Sequence, residues 1–376
     1  MEDRRTVGFE EEFLLVDANG VPAPKADLVL DWLRANLDPD ESERFKPELQ
    51  KVQIESVSGV HTSMKALHAE LSTARQRLGA AADRCELAVL PVGTAPACGA
   101  AADVTTHSRY ERIHHRYGEM TRSYTACGAH VHVGIDDAEQ AVAVVNHLRP
   151  WLPILVAIGA NSPFHHGRDS GYSSWRIAEQ ARFPGAGLPP FSRSAADYRE
   201  RIAVLRECGV LIDDHMSFWM ARPSDAFPTV EVRAVDTAAT VDDAVLQALL
   251  TRGLVHTAIR KLDAGIEGPA LDDQVAAAAV WTAARYGLDG PAIDPIGQIQ
   301  VPAVRMVEKL TAWIADELEE VGDTAEATRL LTAVHQHGTG AARQRIAAVS
   351  GLPGLVESFR LTGEFAPAGM SFEEGG

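Results

Sequence analysis

The segment Thr229–Asp236 constrains this chain more than any other, because it predicts a β-strand whose two faces differ in chemistry. Side chains alternate along a strand, so Val230 and Val232 point to one face while Glu231 and Arg233 point to the other. An exposed ion pair between these two charged residues would add little stability. A single strand of this kind leaves that alternative open.

Three further segments repeat the same design. Each combines an apolar face with a polar face made of acidic, amide or imidazole side chains rather than the usual Thr, Lys or Ser. The segments and their polar residues are Val7–Val16 with Glu10 and Glu12, Val52–Val57 with Gln53 and Glu55, and Cys127–Ile135 with His130 and His132.

The first of these strands carries two carboxylates that should repel each other. Glu10 and Glu12 are two residues apart on one face, and a fold tolerates such a pair when a cation lies between them. An edge strand in water is the alternative, but apolar neighbours on both sides favour a buried strand. Glu11 points to the opposite, apolar face, so we expect an arginine partner with a structural role.

Four two-faced strands predict an α+β fold with one antiparallel sheet. Helices would cover its apolar face and the polar face would line a concave site. A long helix is predicted after a cap at Thr62 or Ser63. Further helices are predicted at Asp27–Leu37, from Asp136 or Asp137 through Leu148, and at Val241–Leu262, Leu271–Tyr286, Val301–Val321, Asp323–Gln336 and Gly340–Val349. We predict one catalytic domain over residues 1–362, helical from about 240, and a disordered tail at 363–376.

The polar faces together predict a site for a hard divalent cation. Carboxylate oxygens suit Mg²⁺ or Mn²⁺ better than Zn²⁺, and the HxH pair His130–His132 has no CxxC or HExxH motif to complete a zinc site. Mg²⁺ held by carboxylates commonly completes its shell with phosphate oxygens, which points to a nucleoside triphosphate. The chain has neither GxxxxGK[ST] nor GxGxxG, so a different cradle must hold that nucleotide.

Two loops stand out as candidate binding elements. Asn161–Arg176 is dense in Arg, His, Asp, Tyr and Trp, and Phe183–Ala195 contains a Pro- and Gly-rich run typical of a mobile flap. A solvated loop is the alternative for the first. The histidines of 105–122, His107, His114 and His115, are predicted to be surface or capping groups.

Charge and cysteine content restrict the partners. A net charge of −17 provides no basic field for nucleic acid or an anionic membrane, so neither is expected as a partner. The four cysteines are scattered without a CxxC pair, which favours reduced thiols in the cytoplasm. No apolar run is long enough to span a bilayer and no signal peptide is recognisable.

Five motifs in order resemble the glutamate–cysteine ligase type 2 family, whose members are ATP-dependent carboxylate–amine ligases distantly similar to glutamine synthetase. The resemblance covers about residues 6 to 360, and the fold it implies is a curved antiparallel sheet with helices on one face and the active site on the other. The motifs are GFEEEF from Gly8, VQIE from Val52, GAHVHVG from Gly128, NSPF from Asn161 through GYSSWR ending at Arg176, and RPS from Arg222 through TVEVR ending at Arg233.

The resemblance implies roles residue by residue. It implies metal ligation by Glu10, Glu12, Glu55, His130 and Glu231, catalysis by Arg233 and Glu55, and contacts to the nucleotide or phosphate by Arg233, Arg176, Arg222 and His132. ATP and Mg²⁺ (or Mn²⁺) are the implied cofactors, and a homodimer is the implied assembly. The stretch Val57–His61 departs from the family pattern, which leaves the acceptor pocket undefined.

The predicted function is therefore amide-bond formation through an acyl phosphate, using a small carboxylate or amino acid and an amine. Glutamate and cysteine are the family's named pair, but substrate identity transfers poorly with fold. A metal-dependent hydrolase or phosphatase using the same carboxylates without nucleotide is the alternative from another class. A catalytically silent binding protein on the same fold is the third.

Overall fold

A seven-stranded antiparallel sheet organises the part of the chain that the computed structural model describes, residues 6–99 and 103–363. The strands of these ranges are β1 (Val7–Val16), β2 (Phe45–Pro47), β3 (Gln53–Val57), β4 (Ala88–Leu90), β5 (Gly128–Gly134), β6 (Phe164–His165), β7 (Arg168–Asp169), β8 (Ala186–Gly187), β9 (Phe218–Trp219), β10 (Ala221–Pro223), β11 (Thr229–Asp236), β12 (Pro291–Asp294) and β13 (Ile299–Pro302). Within the large sheet the order is β10-β11-β5-β1-β3-β2, and β4 pairs with the C-terminal end of β1. The predicted strand β1 lies at the centre of this sheet and β11 lies next to β5.

The helices surround this sheet and fill most of the C-terminal third of the chain. Those of the described residues are α1 (Ala26–Asn36), α2 (Pro39–Ser42), α3 (Met64–Arg84), α4 (Ser108–Tyr117), α5 (Glu119–Arg122), α6 (Ala138–Leu148), α7 (Leu152–Ile158), α8 (Trp175–Gln180), α9 (Ala195–Glu207), α10 (Val241–Asp263), α11 (Asp273–Tyr286), α12 (Ala303–Glu320), α13 (Thr324–His337), α14 (Gly340–Ala347) and α15 (Gly351–Phe359), with 3₁₀ turns at Asp214–Met216 and Ala348–Ser350.

The apolar face of the sheet is buried under helices. Phe9, Val131 and Val232 are at most 1% exposed and share one core with residues of α6, α7 and α10. The helical layer on this face leaves the polar face to line a cavity, which confirms the predicted arrangement of sheet and helices.

Glu11 is the exception on the apolar face, and its partner is an arginine as predicted. The Glu11 side chain is 1% exposed, and Arg75 of α3 donates from Nε to Oε2 at 3.1 Å and from Nη2 to Oε1 at 2.5 Å. A buried carboxylate is tolerated only when it is paired and hydrogen-bonded in this way.

Most predicted helices are present, with their caps. Ser63 accepts a hydrogen bond from the Ala66 N–H at the start of α3, and Asp137 accepts one from Gln140 N–H at the start of α6. The helix predicted at Val301–Val321 is wrong at its beginning, because Ile299–Pro302 forms β13 in a hairpin with β12 and α12 begins only at Ala303. An extended residue is favoured before proline, and the β-branched residues there suit a strand.

Seven helices of the described residues had no counterpart in the sequence-based prediction: α2, α4, α5, α7, α8, α9 and α15. His107 caps α4 by accepting from the Arg109 N–H, as the capping role predicted for the histidines of this region requires. Of the predicted tail, residues 364–376 lie outside the described residues. Among the helices of the described ranges, none alone has the length and hydropathy to span a membrane, and the pair α6–α7, which meets that test only in combination, is bent by 66°.

Candidate active site

A cavity of about 520 Å³ lies on the polar face of the sheet. Strand pairing brings its side chains together, because Glu10 of β1 lies opposite His130 of β5, and Glu231 of β11 lies opposite His132. Every residue predicted for the site lines this cavity: Glu10, Glu12, Glu55, His130, His132, Arg176, Arg222, Glu231 and Arg233.

Three of these residues lie close enough together to hold a metal ion. Ligand atoms of Glu10, His130 and Glu231 all lie within 4.8 Å of one another, and His130 Nδ1 is 2.9 Å from Glu10 Oε2. Glu12 Oε1 lies 3.6 Å from the other ring nitrogen, Nε2 of His130. Two carboxylates, a third close by and one imidazole form a donor set that fits Mg²⁺ or Mn²⁺.

Glu55 lies next to this cluster, with its Cα paired to that of Glu12 across β1 and β3. Burial raises the pKa of Glu55 well above its ordinary value, and the negative charges of Glu10, Glu48 and Glu12 raise it further. Burial also raises the pKa of Glu12 and of Glu48. This side of the cavity therefore holds more carboxylates than the protein's own cations neutralise.

The pKa values of Glu10 and Glu231 are lowered instead of raised. Burial opposes ionisation of both, but hydrogen bonds from His130 and His132 hold the pKa of Glu10 below its usual range. For Glu231, burial is outweighed by the charges of Arg233 and Arg222, which likewise hold its pKa low. These two carboxylates are therefore ionised at neutral pH, each already in contact with imidazole or guanidinium groups.

The two arginines contact Glu231 in different ways. Arg222 donates from Nε to Glu231 Oε2 at 2.7 Å and from Nη1 to the carbonyl oxygens of His215 and Ser217, at 2.7 and 3.1 Å. Arg233 donates from Nη1 to Glu231 Oε1 and lies 3.3 Å from His130 Nδ1. Arg222 is thus tied to the neighbouring strand β11 and to the segment before β9, whereas Arg233 reaches over the carboxylate–imidazole cluster.

Arg176 lies deeper than the other predicted residues and is 1% exposed. Its Nη2 donates to the carbonyl oxygen of Arg233 at 3.1 Å, and its Nη1 lies 3.8 Å from Asp236 Oδ1. The guanidinium occupies the space above Gly128, where a Cβ atom would come within 2.3 Å of Nη2. Arg176 therefore holds the backbone of β11 at the residue that carries the Arg233 side chain.

The backbone at that position is irregular. Val232 pairs with Val131, but Val235 pairs with Ala129, so β11 has one residue more than β5 between these pairs. Such a β-bulge changes which residues face each side of the sheet. Asp236 consequently lies opposite Gly128 on the side of Arg176, although strict alternation from Val230 would place it on the apolar face.

His132 completes the polar face. Its Nε2 lies 3.3 Å from Glu10 Oε1, and its Nδ1 is 2.9 Å from Thr229 Oγ1.

The loop Asn161–Arg176 serves mainly to anchor the sheet, since Ser162 and Ser174 both donate to Asp236. Of the predicted flap, Phe183 reaches the active-site cavity.

The sequence-based interpretation missed several residues of the cavity wall, chiefly Glu48, Arg109 and Tyr110. Glu48 lies between β2 and β3, outside any alternating segment. Arg109 and Tyr110 lie on α4, and Arg109 is paired with Asp213 through Nε at 2.8 Å. The dense Arg, His and Tyr content of 105–122 was the available signal for these two.

The sequence profile of glutamate–cysteine ligase family 2 (GCS2) matches residues 6–350. This chain belongs to that family. A protein of Saccharopolyspora erythraea, named only as a candidate glutamate–cysteine ligase 2-2, is 46% identical over 349 residues, which are 93% of this chain and 89% of that protein. A similarly named protein of Nocardia farcinica is 40% identical over 343 residues, 91% of this chain and 88% of that protein.

Solved structures share the fold at low sequence identity. The glutamate–cysteine ligase of Francisella tularensis, crystallised with AMP, superposes with a TM-score of 0.68 at 12% identity and covers 94% of this chain and 87% of its own. A bifunctional glutathione synthetase of Pasteurella multocida gives a TM-score of 0.69 at 14% identity over 94% of this chain, which spans only 52% of that longer protein. These likenesses confirm the predicted fold, and the family match confirms the resemblance found in the sequence and the interpretation as an ATP-dependent ligase acting on small molecules.

Replacing Glu55 with glutamine should nearly abolish turnover and leave metal-free stability unchanged or higher. Because burial raises the folded-state pKa of Glu55, the protonated carboxyl group contributes its full stability below the unfolded-state pKa of about 4.5. That stability is lost as the pH rises through the folded-state pKa. Glutamine cannot ionise, so without metal the Tm advantage of Glu55→Gln should grow as pH rises from about 4.5 toward neutrality. Thermal unfolding in EDTA measures this, with exposed Glu43→Gln as control. A large Tm loss with unaltered turnover would make Glu55 a structural residue.

Gly128→Ala should lower kcat by about ten-fold or more, because its Cβ displaces Arg176 and with it the carbonyl oxygen of Arg233. The matched control is Gly8→Ala in the same sheet, whose Cβ would meet His132 Cβ at an ordinary 3.7 Å. Steady-state kinetics and Tm should be measured for both variants. Equal kcat in the two folded variants would show that Arg176 does not position Arg233.

Proposed function

We propose that this protein joins a small carboxylate to an amine through an acyl phosphate formed with ATP, and that glutamate and cysteine are the first pair to test. The observation that carries the proposal is the placement of Glu10, His130, Glu231 and Arg233 together in the active-site cavity of a chain of this family. Phosphoryl transfer needs both elements, since a cation site and a guanidinium must share the charge of the moving phosphoryl group.

The metal would be Mg²⁺ or Mn²⁺, bound by Glu10, His130 and Glu231, with Glu12 and Glu55 as further ligands. When bound, such an ion neutralises the negative charge of the phosphate groups. The raised pKa values of Glu12 and Glu55 support this assignment, because a nearby cation would relieve the cost of ionising them. The low pKa values of Glu10 and Glu231 mean that these two ligands need no deprotonation before binding.

The chemistry then divides into two steps. A carboxylate oxygen of the substrate attacks the γ-phosphorus of ATP, forming the acyl phosphate as the bond to ADP breaks. The amine nitrogen attacks the acyl carbon, phosphate leaves with the carbon–oxygen electron pair, and the nitrogen gives up a proton. Arg233 is proposed to stabilise the phosphoryl group in the first step and the departing phosphate in the second.

The remaining predicted residues support these groups. Arg222 is proposed to orient Glu231 and, with His132, to meet the nucleotide's phosphates at the edge of the cluster. Arg176 is proposed to act on phosphate through Arg233, whose backbone it holds, rather than by reaching the nucleotide alone. We also propose a cytoplasmic location, which the four unpaired cysteines support.

The experiment that tests this function measures ADP release with Mg²⁺ across pairs of amino acids and amines. We expect release to require a carboxylate and an amine together and to produce an equal amount of amide. Reactions that omit one substrate serve as controls. Phosphate release that proceeds without any amine, or hydrolysis of simple phosphate esters, would favour a metal-dependent hydrolase instead.

Arg233→Lys should lower kcat by about ten-fold or more while changing the affinity for ATP less. Lysine keeps the positive charge but loses the planar fork that fits phosphate oxygens spread by the transition state. Single-turnover kinetics and equilibrium ATP binding separate the two effects, and unfolding curves test stability. Normal turnover in Arg233→Lys, or a loss explained wholly by unfolding, would make Arg233 an ordinary ion-pair partner of Glu231.

A further inference from the structure

A second cavity, of about 1120 Å³, lies beside the active site among α8, α9, α11 and residues 183–190 of the predicted flap. It is larger than the active-site cavity and compares with the upper end of small-molecule sites, about 300–1,000 Å³. Its walls are mainly apolar and include Ile177, Phe183, Leu188, Leu205, Trp219 and Val280. None of the residues given a role in the proposed ligase chemistry lines this space.

One short helix separates the two cavities. On α8, Arg176 and Gln180 line the active site, whereas Ile177 and Ala178 line the second cavity. Phe183, which is 3% exposed, lines both. A molecule in the second cavity would therefore lie one side-chain layer from the catalytic groups.

The buried charge in this cavity is positive. Arg149 is 2% exposed, its Nε donates to the carbonyl oxygen of Pro189 at 2.9 Å, and its guanidinium lies 6.0 Å from the Phe191 ring centroid. The carboxylate of Asp273 lies 3.7 Å from Nη2, beyond hydrogen-bonding distance, on a side chain that is 91% exposed. Because this carboxylate is distant and exposed to water, an additional anion in the cavity would stabilise the buried Arg149 guanidinium.

Besides Asp273, the other charged groups of the lining lie at the rim of the cavity and are more accessible to water than Arg149. They are Asp197, Glu200 and Arg201, and Arg201 Nε is 3.3 Å from Asp197 Oδ1. Exposed charges are screened by water, whereas the charge of Arg149 acts in an apolar surrounding. Asp197 and Glu200 at the rim would favour a positively charged amine, whereas Arg149 would favour an anion. The charge of the ligand that binds most tightly therefore shows which of these groups dominates.

Backbone hydrogen bonds connect this cavity with Arg233. The carbonyl oxygen of Gly187 in the flap accepts from the Met220 N–H at 2.9 Å, and the carbonyl oxygen of Met220 accepts from the Arg233 N–H at 2.8 Å. Arg149 holds the same flap through Pro189. A ligand that moves Arg149 or the flap would thus act on the strand that carries Arg233.

We propose that the second cavity binds a small carboxylic acid with an apolar body, whose carboxylate pairs with Arg149, and that its binding changes turnover at the active site. An arginine–carboxylate pair forms two parallel charge-assisted hydrogen bonds, and the apolar body removes hydrocarbon surface from water. Binding stands independently of the proposed ligase function, while the effect on turnover rests on it.

Binding is tested by calorimetry with octanoate, octanol and octylamine on the whole protein. Octanoate should bind most tightly, Arg149→Gln should weaken it by about ten-fold or more, and Arg201→Gln at the rim should change it by less than about two-fold. Ala277→Trp, on the cavity side of α11, should block octanoate even if Arg149→Gln folds poorly. Arg233→Lys should bind octanoate normally, which separates this cavity from the carboxylate-binding active site.

Several results would overturn the proposal. They are equal or tighter binding of octylamine, octanoate affinity unaffected by Arg149→Gln and Ala277→Trp, or loss of binding in Arg233→Lys. Absence of octanoate binding would also overturn it, and a dimer in sedimentation that Ala277→Trp dissociates would then assign the cavity to an interface between two copies.

The effect on the active site is tested by reciprocity. If the sites are coupled, octanoate must change the affinity for Mg·ADP by the same factor by which Mg·ADP changes the affinity for octanoate. We expect a factor of about five or more in the wild type, a matching change in ATP-dependent turnover, and neither in Ala277→Trp. Octanoate binding that leaves Mg·ADP affinity and turnover unaltered would overturn the coupling. A protein that binds octanoate and Mg·ADP with coupling but forms no amide would retain this inference and refute the proposed ligase.

Discussion

Repulsion among carboxylates gathered on one face of the sheet is the interaction on which the rest of this structure depends. Glu10, Glu12 and Glu55 come from adjacent strands, and Glu48 joins them from a loop. The protein neutralises only part of this charge. Histidine and arginine neighbours keep Glu10 and Glu231 ionised, while burial and mutual repulsion raise the pKa of the other carboxyl groups. The cavity is therefore divided into a region whose carboxylates are stabilised as anions by their neighbours and a region whose carboxylates repel one another.

A sheet that commits one face to charge must obtain its stability from the other. Helices α6, α7 and α10 cover that other face, and the long strand β1 is buried from Phe13 to Val16 on both sides of the chain. Glu11 shows how strict this division is, because the one acidic side chain of β1 on the apolar side requires a two-bond pairing with Arg75. Stability and the site are thus properties of opposite faces of the same strands, and substitutions on the polar face should affect turnover more than folding.

The sequence allowed the polar face to be predicted because alternation along a strand is a property of the backbone itself. The observed bounds of β1 and β11 coincide with the predicted segments, and the nine predicted site residues line one cavity. Glu48 and Arg109 could not be found in this way, since they lie on a loop and a helix that reach the cavity only through tertiary packing. The helix α15 was hidden by Gly351 and Pro353, which indicate a turn when taken alone. The second cavity lies between α8, α9, α11 and the flap, which are distant in sequence, so no local sequence pattern predicts it.

The bulge in β11 shows where alternation itself stops being sufficient. One additional residue between Val232 and Val235 returns Val235 to the apolar face and turns Asp236 toward Arg176. Without that residue, Asp236 would enter the apolar core and Arg176 would lack its carboxylate partner. Gly128 is required for the same reason, since a side chain there would occupy the position of the guanidinium. The orientation of the Arg233 side chain therefore depends on a bulge, a glycine and a buried arginine from three separate segments. A strict two-residue alternation of side chains predicts none of these three features. A lysine at 176 would keep the charge near Asp236 but lose the planar group that fills the space above Gly128, so the geometry of Arg233 depends on the shape of its support as much as on charge.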